Sequence, residues 1–311
     1  MKKIFLLFSF ICLIAIISTG CFKDSPPKKE LNYEIPNGTT IITEQTIPTK
    51  IRKSITNITI PDGVIEIGDE AFCECKYLKK IIIPNSVNKI GYRAFYWCEH
   101  LTELNIPDSV TEIGEEAFKG CQSINTINIP NKITSINERT FEYCKRLKNV
   151  NISNSVVKID KLAFYHCESL TELNIPESVT EVGEGAYLMC KSLKTVNIPK
   201  GITKIEKQTF AWCESLTELT IPETITEIEE EAFTYCKSLN KINVPNSVTK
   251  IGKQAFYECT SLKNLVIPNS VTQIDEDAFA GFKNSRINNS VKHIEYHGTA
   301  EGAPWGAKSI N

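Results

Sequence analysis

The residues with the greatest potential for chemistry in this sequence are its cysteines, of which there are 12 among 311 residues. Thiols at this density are typical of disulfide frameworks, zinc sites or redox centres, and their spacing helps to distinguish these possibilities. Structural zinc sites need pairs such as C-x-x-C, whereas Cys73-Glu74-Cys75 is too tight a pair. We therefore expect no metal and no cofactor. Nine cysteines recur with a step of 23 residues, at Cys75, Cys98, Cys121, Cys144, Cys167, Cys190, Cys213, Cys236 and Cys259.

The four histidines, His100, His166, His293 and His297, add no recognisable catalytic pattern. The sequence contains no G-x-S-x-G, H-E-x-x-H or phosphate-loop motif. His166 precedes Cys167, but we expect Cys167 to point inward and His166 outward, which does not favour a nucleophile–base pair. We predict that the protein is not an enzyme, and we assign His293 and His297 to a C-terminal cap.

A fixed period of 23 residues explains the cysteine spacing. The stretch FYWCEHLTELNIPDSVTEIG at 95–114 returns as FYHCESLTELNIPESVTEVG at 164–183, and nine units of this length fill residues 61–267. A period of this size predicts a solenoid, in which each coil buries its apolar face against its neighbours. We expect atypical ends, namely a degenerate first unit at 36–60, a short unit at 268–287 and a C-terminal cap at 288–311.

Each unit carries two short strand patterns and one tighter segment. Apolar alternation before and after the proline predicts short parallel strands, and the i, i+1, i+4 spacing of Ala117, Phe118 and Cys121 predicts a single helical turn. The predicted fold is therefore a repeat solenoid, mainly β, a right-handed coil with a parallel sheet and short helical turns. In the unit at 107–129 the expected inward positions are Val110, Ile113, Ala117, Phe118, Cys121, Ile124, Ile127 and Ile129.

This arrangement places the column of nine cysteines in the core, where we expect free thiols that act as small apolar residues. Disulfides between adjacent coils are the alternative, because neighbouring coils bring these residues within bonding range. Phe282 in the tenth slot argues against a disulfide role for the column. Cys73 follows Phe72 directly, so we expect it to face outward and to be the reactive thiol.

Two outward columns have a regular chemistry. Opposite charges on neighbouring coils attract modestly, so the alternation of sign suggests a structural unit of 46 residues, made of two coils. Stacked asparagines can hydrogen-bond along a sheet, and a polar binding face is the alternative for that column. The charged column is Glu66, Lys89, Glu112, Ser135, Lys158, Glu181, Lys204, Glu227, Lys250 and Gln273, and the asparagine column is Asn105, Asn128, Asn151, Asn174, Asn197 and Asn243.

A third outward column, two places after each phenylalanine, is irregular and carries large side chains. Aromatic residues are enriched at protein interfaces, so these positions are candidate partner-binding residues. The alternative is that each ring lies flat over the next coil and serves packing. The candidates are Trp97, Tyr143, His166, Met189, Trp212 and Tyr235.

The N-terminus is predicted to be an export signal. A basic start precedes an apolar run at 4–17 that is too short to span a bilayer comfortably. The following Ser-Thr-Gly-Cys resembles the lipobox of bacterial lipoproteins, although Ser18 departs from the usual aliphatic residue. The resemblance implies a signal peptide at 1–20 and acylation of Cys21, with a flexible tether over 21–35. Ordinary secretion after cleavage near Gly20 is the alternative.

The unit LTELNIPDSVTEIGEEAFKGC resembles the BspA-type bacterial leucine-rich repeat, and the resemblance extends over about 36–287. The C-terminal HIEYHGTAEGAPWGAKSI is similar to the closing segment often found in that family. The resemblance implies a surface-exposed or secreted protein that binds an extracellular protein or glycan on host or neighbouring cells. We also expect the protein to be monomeric and to be held to the membrane by its lipid. A net charge of −2 gives no indication of a nucleic-acid partner. A structural envelope protein without a specific ligand is the alternative function.

Overall fold

The computed structural model describes residue 27, residues 29–281, residues 293–295, residues 300–302 and Trp305. They form a stack of coils, each with two short strands and a third side made of turns. The predicted signal peptide, Cys21, Phe282 and most of the predicted C-terminal cap lie outside the described residues. Among the residues described, no helix combines the length and apolar character needed to cross a bilayer.

One strand of each coil precedes the proline that begins the next unit, and we call these the pre-proline strands. Their burial alternates along the chain, so that one side chain faces the core and its neighbours face solvent, as the sequence predicts. They are β1 (Asn32–Glu34), β3 (Asn57–Thr59), β5 (Lys80–Ile82), β8 (Thr126–Asn128), β10 (Asn149–Asn151), β12 (Glu172–Leu173), β14 (Thr195–Val196), β16 (Glu218–Leu219), β18 (Lys241–Ile242), β20 (Asn264–Val266) and β22 (His293–Glu295).

The other strand follows the proline, and we call these the post-proline strands. Each has two residues, of which the first lies at the surface and the second is buried. They are β2 (Ile41–Ile42), β4 (Glu66–Ile67), β6 (Lys89–Ile90), β7 (Glu112–Ile113), β9 (Ser135–Ile136), β11 (Lys158–Ile159), β13 (Glu181–Val182), β15 (Lys204–Ile205), β17 (Glu227–Ile228), β19 (Lys250–Ile251) and β21 (Gln273–Ile274).

Strands on each side pair in parallel with the equivalent strand of a neighbouring coil. The post-proline strands form three blocks, β2-β4-β6-β7, β9-β11-β13 and β15-β17-β19-β21. The pre-proline strands begin with β1-β3-β5 and continue two by two, as β8-β10, β12-β14, β16-β18 and β20-β22. This pairwise grouping agrees with a structural unit of two coils.

The third side of each coil is a run of reverse turns, so the predicted helical turn is wrong. Every second N–H in this run donates to the carbonyl three residues earlier, as Cys121 does to Phe118 at 3.1 Å. The intervening N–H groups donate to the next coil, as Gly120 does to Glu142 at 2.8 Å. The alternation uses left-handed backbone at two positions, here Glu116 (φ 54°) and Gly120 (φ 77°). A helix would keep these bonds within one coil, whereas the turns use half of them to join coils.

The core contains the residues that the sequence assigned to it. The eight inward positions of the coil at 107–129 are at most 5% exposed. The rings from Phe72 to Phe279 form one column, with successive centroids 5.1–5.9 Å apart. Tyr187 takes the phenylalanine position in one coil and is fully buried.

The nine repeating cysteines are free and buried, which confirms the prediction of core thiols. Their contacts show a role that the sequence did not reveal. In eight of them, Sγ donates to the carbonyl oxygen in the phenylalanine slot of the preceding coil, at 3.1–3.4 Å. Cys98, for example, donates to Phe72, whose carbonyl also accepts the N–H of Cys75. A carbonyl oxygen can accept two hydrogen bonds because it has two lone pairs. The thiol donates the second bond, which alanine or valine in its place could not donate.

The N-terminal coil begins earlier than the sequence indicated. Residues 31–35 were assigned to the tether, but β1 pairs with β3 and Ile35 is 4% exposed, so they belong to the solenoid. A short 3₁₀ helix (Glu44–Thr46) and helix α1 (Thr49–Arg52) then cover the first turn run. Arg52 is buried, and its guanidinium donates to the carbonyls of Glu44, Ala71 and Cys73. In later coils the equivalent carbonyls accept N–H groups from the preceding coil, so Arg52 caps the open end of the turn run.

The C-terminal end is closed by residues beyond the regular repeats. Strand β22 pairs with β20 and so extends the pre-proline side by one strand. Trp305 is 5% exposed and packs against the hydrophobic core, and its carbonyl accepts the N–H of Phe279 at 3.1 Å. An aromatic residue therefore covers the turn side of the last described repeat, and its carbonyl accepts there a bond that the next coil accepts elsewhere in the stack.

Candidate functional site

The six candidate partner-binding residues share one position in the fold, the last residue of the turn run before each cysteine. Their backbone is left-handed, with φ between 53° and 60°. Each of the six is half-buried. We call this column the aromatic ridge: Trp97, Tyr143, His166, Met189, Trp212 and Tyr235.

The first part of the ridge is a continuous ring stack. The ring of Trp97 crosses the next coil above Gly120 and lies 6.1 Å from the ring of Tyr143, two coils away. A Cβ atom at Gly120 would come within 2.6 Å of the indole, so glycine is required for this crossing. Tyr143 then stacks on His166 with centroids 4.6 Å apart and planes inclined by 13°.

The second part of the ridge is the pair formed by Trp212 and Tyr235. Their ring centroids are 3.9 Å apart and their planes are inclined by 16°. The ammonium group of Lys237 lies 5.6 Å from the first ring and 5.7 Å from the second, within the range of a cation–π contact. Met189 occupies the ridge position between the two stacks, so the column contains two separate aromatic faces.

The ridge is electrically neutral at its centre. Burial lowers the pKa of His166 from its ordinary value, although Glu168, 3.0 Å from Nδ1, opposes the shift. Burial also raises the pKa values of the Tyr143 and Tyr235 hydroxyls. The imidazole and both phenols are therefore uncharged near neutral pH, and positive charge is confined to lysines at the side of the rings.

The thiol and imidazole of the His166–Cys167 pair have separate surroundings. Cys167 is fully buried, burial raises its pKa, and its Sγ donates to the Phe141 carbonyl at 3.3 Å. His166 contacts Glu168 on the outer side. Within the described part of the chain, no group of three or more histidine, cysteine or acidic residues is arranged to hold a metal.

Cys73 is less reactive than the sequence suggested. It is half-buried, and burial together with the carboxylates of Glu70 and Glu74 raises its pKa to about 11. Because the thiolate is the reactive form, Cys73 is mostly protonated and slow at neutral pH. It nevertheless remains the most accessible of the described cysteines.

The alternating charges pair as the sequence predicts, but within blocks of the post-proline strands. Glu181 was expected to stand between two lysines, yet β13 pairs with β11 and not with β15. Glu181 therefore forms its ion pair with Lys158, in the preceding coil. The ion pairs join Lys89 to Glu66 and Glu112, Lys158 to Glu181, and Lys204 to Glu227, with N–O distances of 2.9–3.8 Å.

The asparagine column has a structural use in the contacts observed. Asn151 donates to the side-chain oxygen of Asn128 at 2.6 Å, which confirms the predicted bond along the sheet. Asn197 differs, because its amide bonds both the N–H and the carbonyl of Ile175 in the preceding coil, each at 2.7 Å. This side chain replaces a backbone pair at the point where β12 and β14 have ended.

Comparison with known proteins agrees with the repeat. The model of the BspA-type leucine-rich repeat region, which comprises six copies, matches residues 50–171 and 157–286. A leucine-rich cell surface protein of Faecalibacterium prausnitzii A2-165 is 32% identical, over 78% of this chain and 73% of its own, with a TM-score of 0.56. A leucine-rich repeat protein of Bacteroides ovatus ATCC 8483 is 25% identical, over 85% of this chain and 86% of its own, with a TM-score of 0.55. No curated protein matches the chain.

Proposed function

Because this chain belongs to the BspA-type leucine-rich repeat family, we propose that it is a lipid-anchored cell-surface protein that binds an extracellular protein or glycan through the aromatic ridge. The proposal rests on the types of residue that occupy the ridge. A non-glycine residue in left-handed backbone costs roughly 1–2 kcal/mol, and Gly120 shows that glycine fits this position. Six coils nevertheless place a bulky side chain there. Tryptophan and tyrosine, which hold four of these six positions, are enriched among the residues that contribute most to binding at protein interfaces.

Attachment to the cell surface is supported by the lipobox-like segment and by the similarity to a described cell surface protein. Acylation at Cys21 would join the solenoid to a membrane, and more than one acyl chain is needed for stable anchoring. Metabolic labelling with a fatty acid should mark the full-length protein and should not mark Cys21→Ala. Label that persists in this variant would refute the lipid anchor and leave secretion.

The ridge is best tested with methionine substitutions. Met189 shows that methionine fits the slot, so Trp212→Met with Tyr235→Met keeps apolar cover over the core and removes both aromatic faces. Full-length protein on bacterial cells would be tested for attachment to arrayed matrix proteins and glycans. We expect affinity to fall at least about 30-fold, or about 2 kcal/mol.

The control for this experiment is Tyr92→Met, which removes an exposed ring outside the ridge and should leave attachment unchanged. Melting curves of both variants show whether folding is retained. Normal attachment by the folded ridge variant would exclude the ridge as the binding surface and direct attention to the strand face around Asn174.

A structural envelope protein without a specific ligand is the second candidate. The observation that favours it is the mutual stacking of Trp212 and Tyr235 at 3.9 Å, since packing alone accounts for such a contact. This alternative predicts a lower melting temperature for the methionine variant and no saturable binding to any arrayed component. It also predicts that cells lacking the protein attach as well as wild-type cells.

A further inference from the structure

One interface between neighbouring coils lacks strand pairing on both of its sides. It lies between the coil at 176–198 and the coil at 199–221, and we call it the seam. Here β14 does not pair with β16, and β13 does not pair with β15. Each of the other interfaces between the described repeats keeps at least one of its two pairings.

The turn side of the seam remains closed. The N–H groups of Gly185, Tyr187 and Met189 donate to carbonyls of the next coil at 2.9–3.1 Å, as they do elsewhere in the stack. The two coils are therefore joined along the turn side and by two backbone bonds before β16, from Ser215 to Lys191 at 3.1 Å and from Thr217 to Lys194 at 3.4 Å, and they separate beyond these bonds. The gap between the two coils therefore widens from the turn side toward the strands, and we call this gap the wedge.

The wedge contains a cleft of about 680 Å³ on the pre-proline side. Its apolar lining includes Val196, Ile198 and Leu219. Val196 and Ile198 are half-buried, whereas Leu219 and Ile221, which hold the same positions one coil later, are buried. The volume falls within the roughly 300–1,000 Å³ typical of ligand sites. The cleft therefore exposes core side chains that the regular stack would cover.

Three carboxylates surround this apolar lining, those of Glu177, Glu218 and Glu223, and all three residues are exposed. None of them has an ion-pair partner among the described residues, although the strand carboxylate of Glu103 pairs with Lys80 at 3.0 Å. Lys200 is the single lysine in the lining, and its backbone N–H already bonds Glu177 at 3.1 Å. The rim is therefore negatively charged.

A second feature of the seam is an unpartnered polar group in its interior. The hydroxyl of Tyr187 is fully buried and has no hydrogen-bond partner, and the other described coils from residue 61 onward have phenylalanine at this position. It borders a small cavity of about 10 Å³ that is also lined by Ile198, a residue of the cleft. The inner end of the seam thus contains a hydroxyl group that forms no hydrogen bond with the described part of the protein.

From these features we propose that the cleft binds a lysine- or arginine-bearing segment of a partner polypeptide. These side chains combine a long aliphatic stem, which suits Val196 and Ile198, with a cation that suits the carboxylate rim. A polypeptide fits better than a free amine, because β14 and β16 form no ladder beyond the bond from Thr217 to Lys194 and so leave backbone groups for a peptide main chain. The site is separate from the aromatic ridge and does not depend on its function.

The test uses the full-length protein and a fluorescein-labelled octapeptide of alternating lysine and valine. Fluorescence anisotropy should show saturable binding that is lost when norleucine or glutamate replaces lysine. Glu218→Gln with Glu223→Gln should weaken binding at least about tenfold. The matched control, Glu103→Gln with Glu172→Gln, removes the same charge from the same face outside the cleft and should change affinity less than about threefold.

Two further measurements make the proposal refutable. Thr220→Trp places a bulky ring at an exposed position bordering the cleft and should abolish binding without altering the melting curve. Equal weakening by both glutamine pairs would reduce the effect to non-specific electrostatics and overturn the proposal, as would full displacement of the peptide by an equal concentration of free cadaverine. The ridge variant Trp212→Met with Tyr235→Met should bind the peptide normally, so the two proposals can fail independently.

Discussion

Replacing Tyr187 with phenylalanine should make this protein more stable. The ring of Tyr187 lies in the core column, with centroids 5.9 Å from Phe164 and 5.5 Å from Phe210. Phenylalanine keeps both ring contacts and removes the hydroxyl, which is buried without a partner. The substitution therefore deletes a polar group that loses its hydration on folding and receives no bond in return.

The magnitude follows from the cost of burying an unsatisfied polar group, which is about 1–3 kcal/mol. The small space beside the hydroxyl measures about 10 Å³, close to the minimum that holds one water, and a water there would reduce the gain toward the lower limit. For a protein of this size, each kcal/mol shifts the melting temperature by about 2–4 °C. We expect the melting temperature to rise by roughly 2–12 °C, toward the lower limit if a water is present.

The measurement is thermal and urea unfolding of the wild type, Tyr187→Phe and Phe164→Tyr. The last variant introduces the same hydroxyl one coil earlier, where the strand pairing to the next coil is intact on both sides, and it should destabilise by about 1–3 kcal/mol. A lower unfolding midpoint for Tyr187→Phe, or no loss for Phe164→Tyr, would refute the reasoning.

Three further substitutions or measurements test the stack. Lys89→Glu places a third carboxylate between Glu66 and Glu112, and it should cost about 1 kcal/mol at low salt, shrinking at high salt because these groups are partly exposed. Arg52→Met should lower stability by about 1.5–3 kcal/mol, because it removes the charged cap of the first turn run while keeping its apolar volume. Alkylation of Cys73 in the folded protein should accelerate about tenfold per pH unit from pH 7 to 10, because a raised pKa keeps the thiol protonated over that range.

Each of these expectations has a contradicting outcome. Equal loss for Lys89→Glu at low and high salt would mean that the charges do not interact through solvent. Wild-type melting of Arg52→Met would show that the exposed carbonyls are satisfied by water. A plateau in the alkylation rate near pH 9 would show that Cys73 has an ordinary thiol pKa. After denaturation without reductant, all the described cysteines should react, and recovery of two or fewer would reveal disulfides.

The sequence predicted the core well because burial follows periodicity. The inward positions from Val110 to Ile129 depend only on which residue types recur, and the structure buries each of them. The turn run was mispredicted because the spacing of Ala117, Phe118 and Cys121 fits both a helical turn and successive reverse turns. A glycine in the sequence is the usual sign of left-handed backbone, but here bulky residues such as Trp97 occupy that position.

The seam could not be predicted, because it depends on how two coils meet and not on the residue types of either. Tyr187 in place of phenylalanine was visible in the sequence, yet a tyrosine in a core column is compatible with a closed stack. The predicted start of the first coil, at residue 36, was too late for a related reason. Residues 31–35 lack the regular repeat, and their membership in the solenoid rests on the pairing of β1 with β3.

The alternation of charge and the two-by-two grouping of the pre-proline strands restrict how such a gene can change its length. Loss of one repeat, such as residues 176–198, would bring Lys158 beside Lys204, which now pair with Glu181 and Glu227 respectively. Loss or gain of two adjacent repeats keeps unlike charges together, and it keeps the order in which the first strand of a pair, such as β12, is followed by a second, such as β14. Unequal recombination should therefore be tolerated in steps of 46 residues, so that relatives of different length should differ by even numbers of coils.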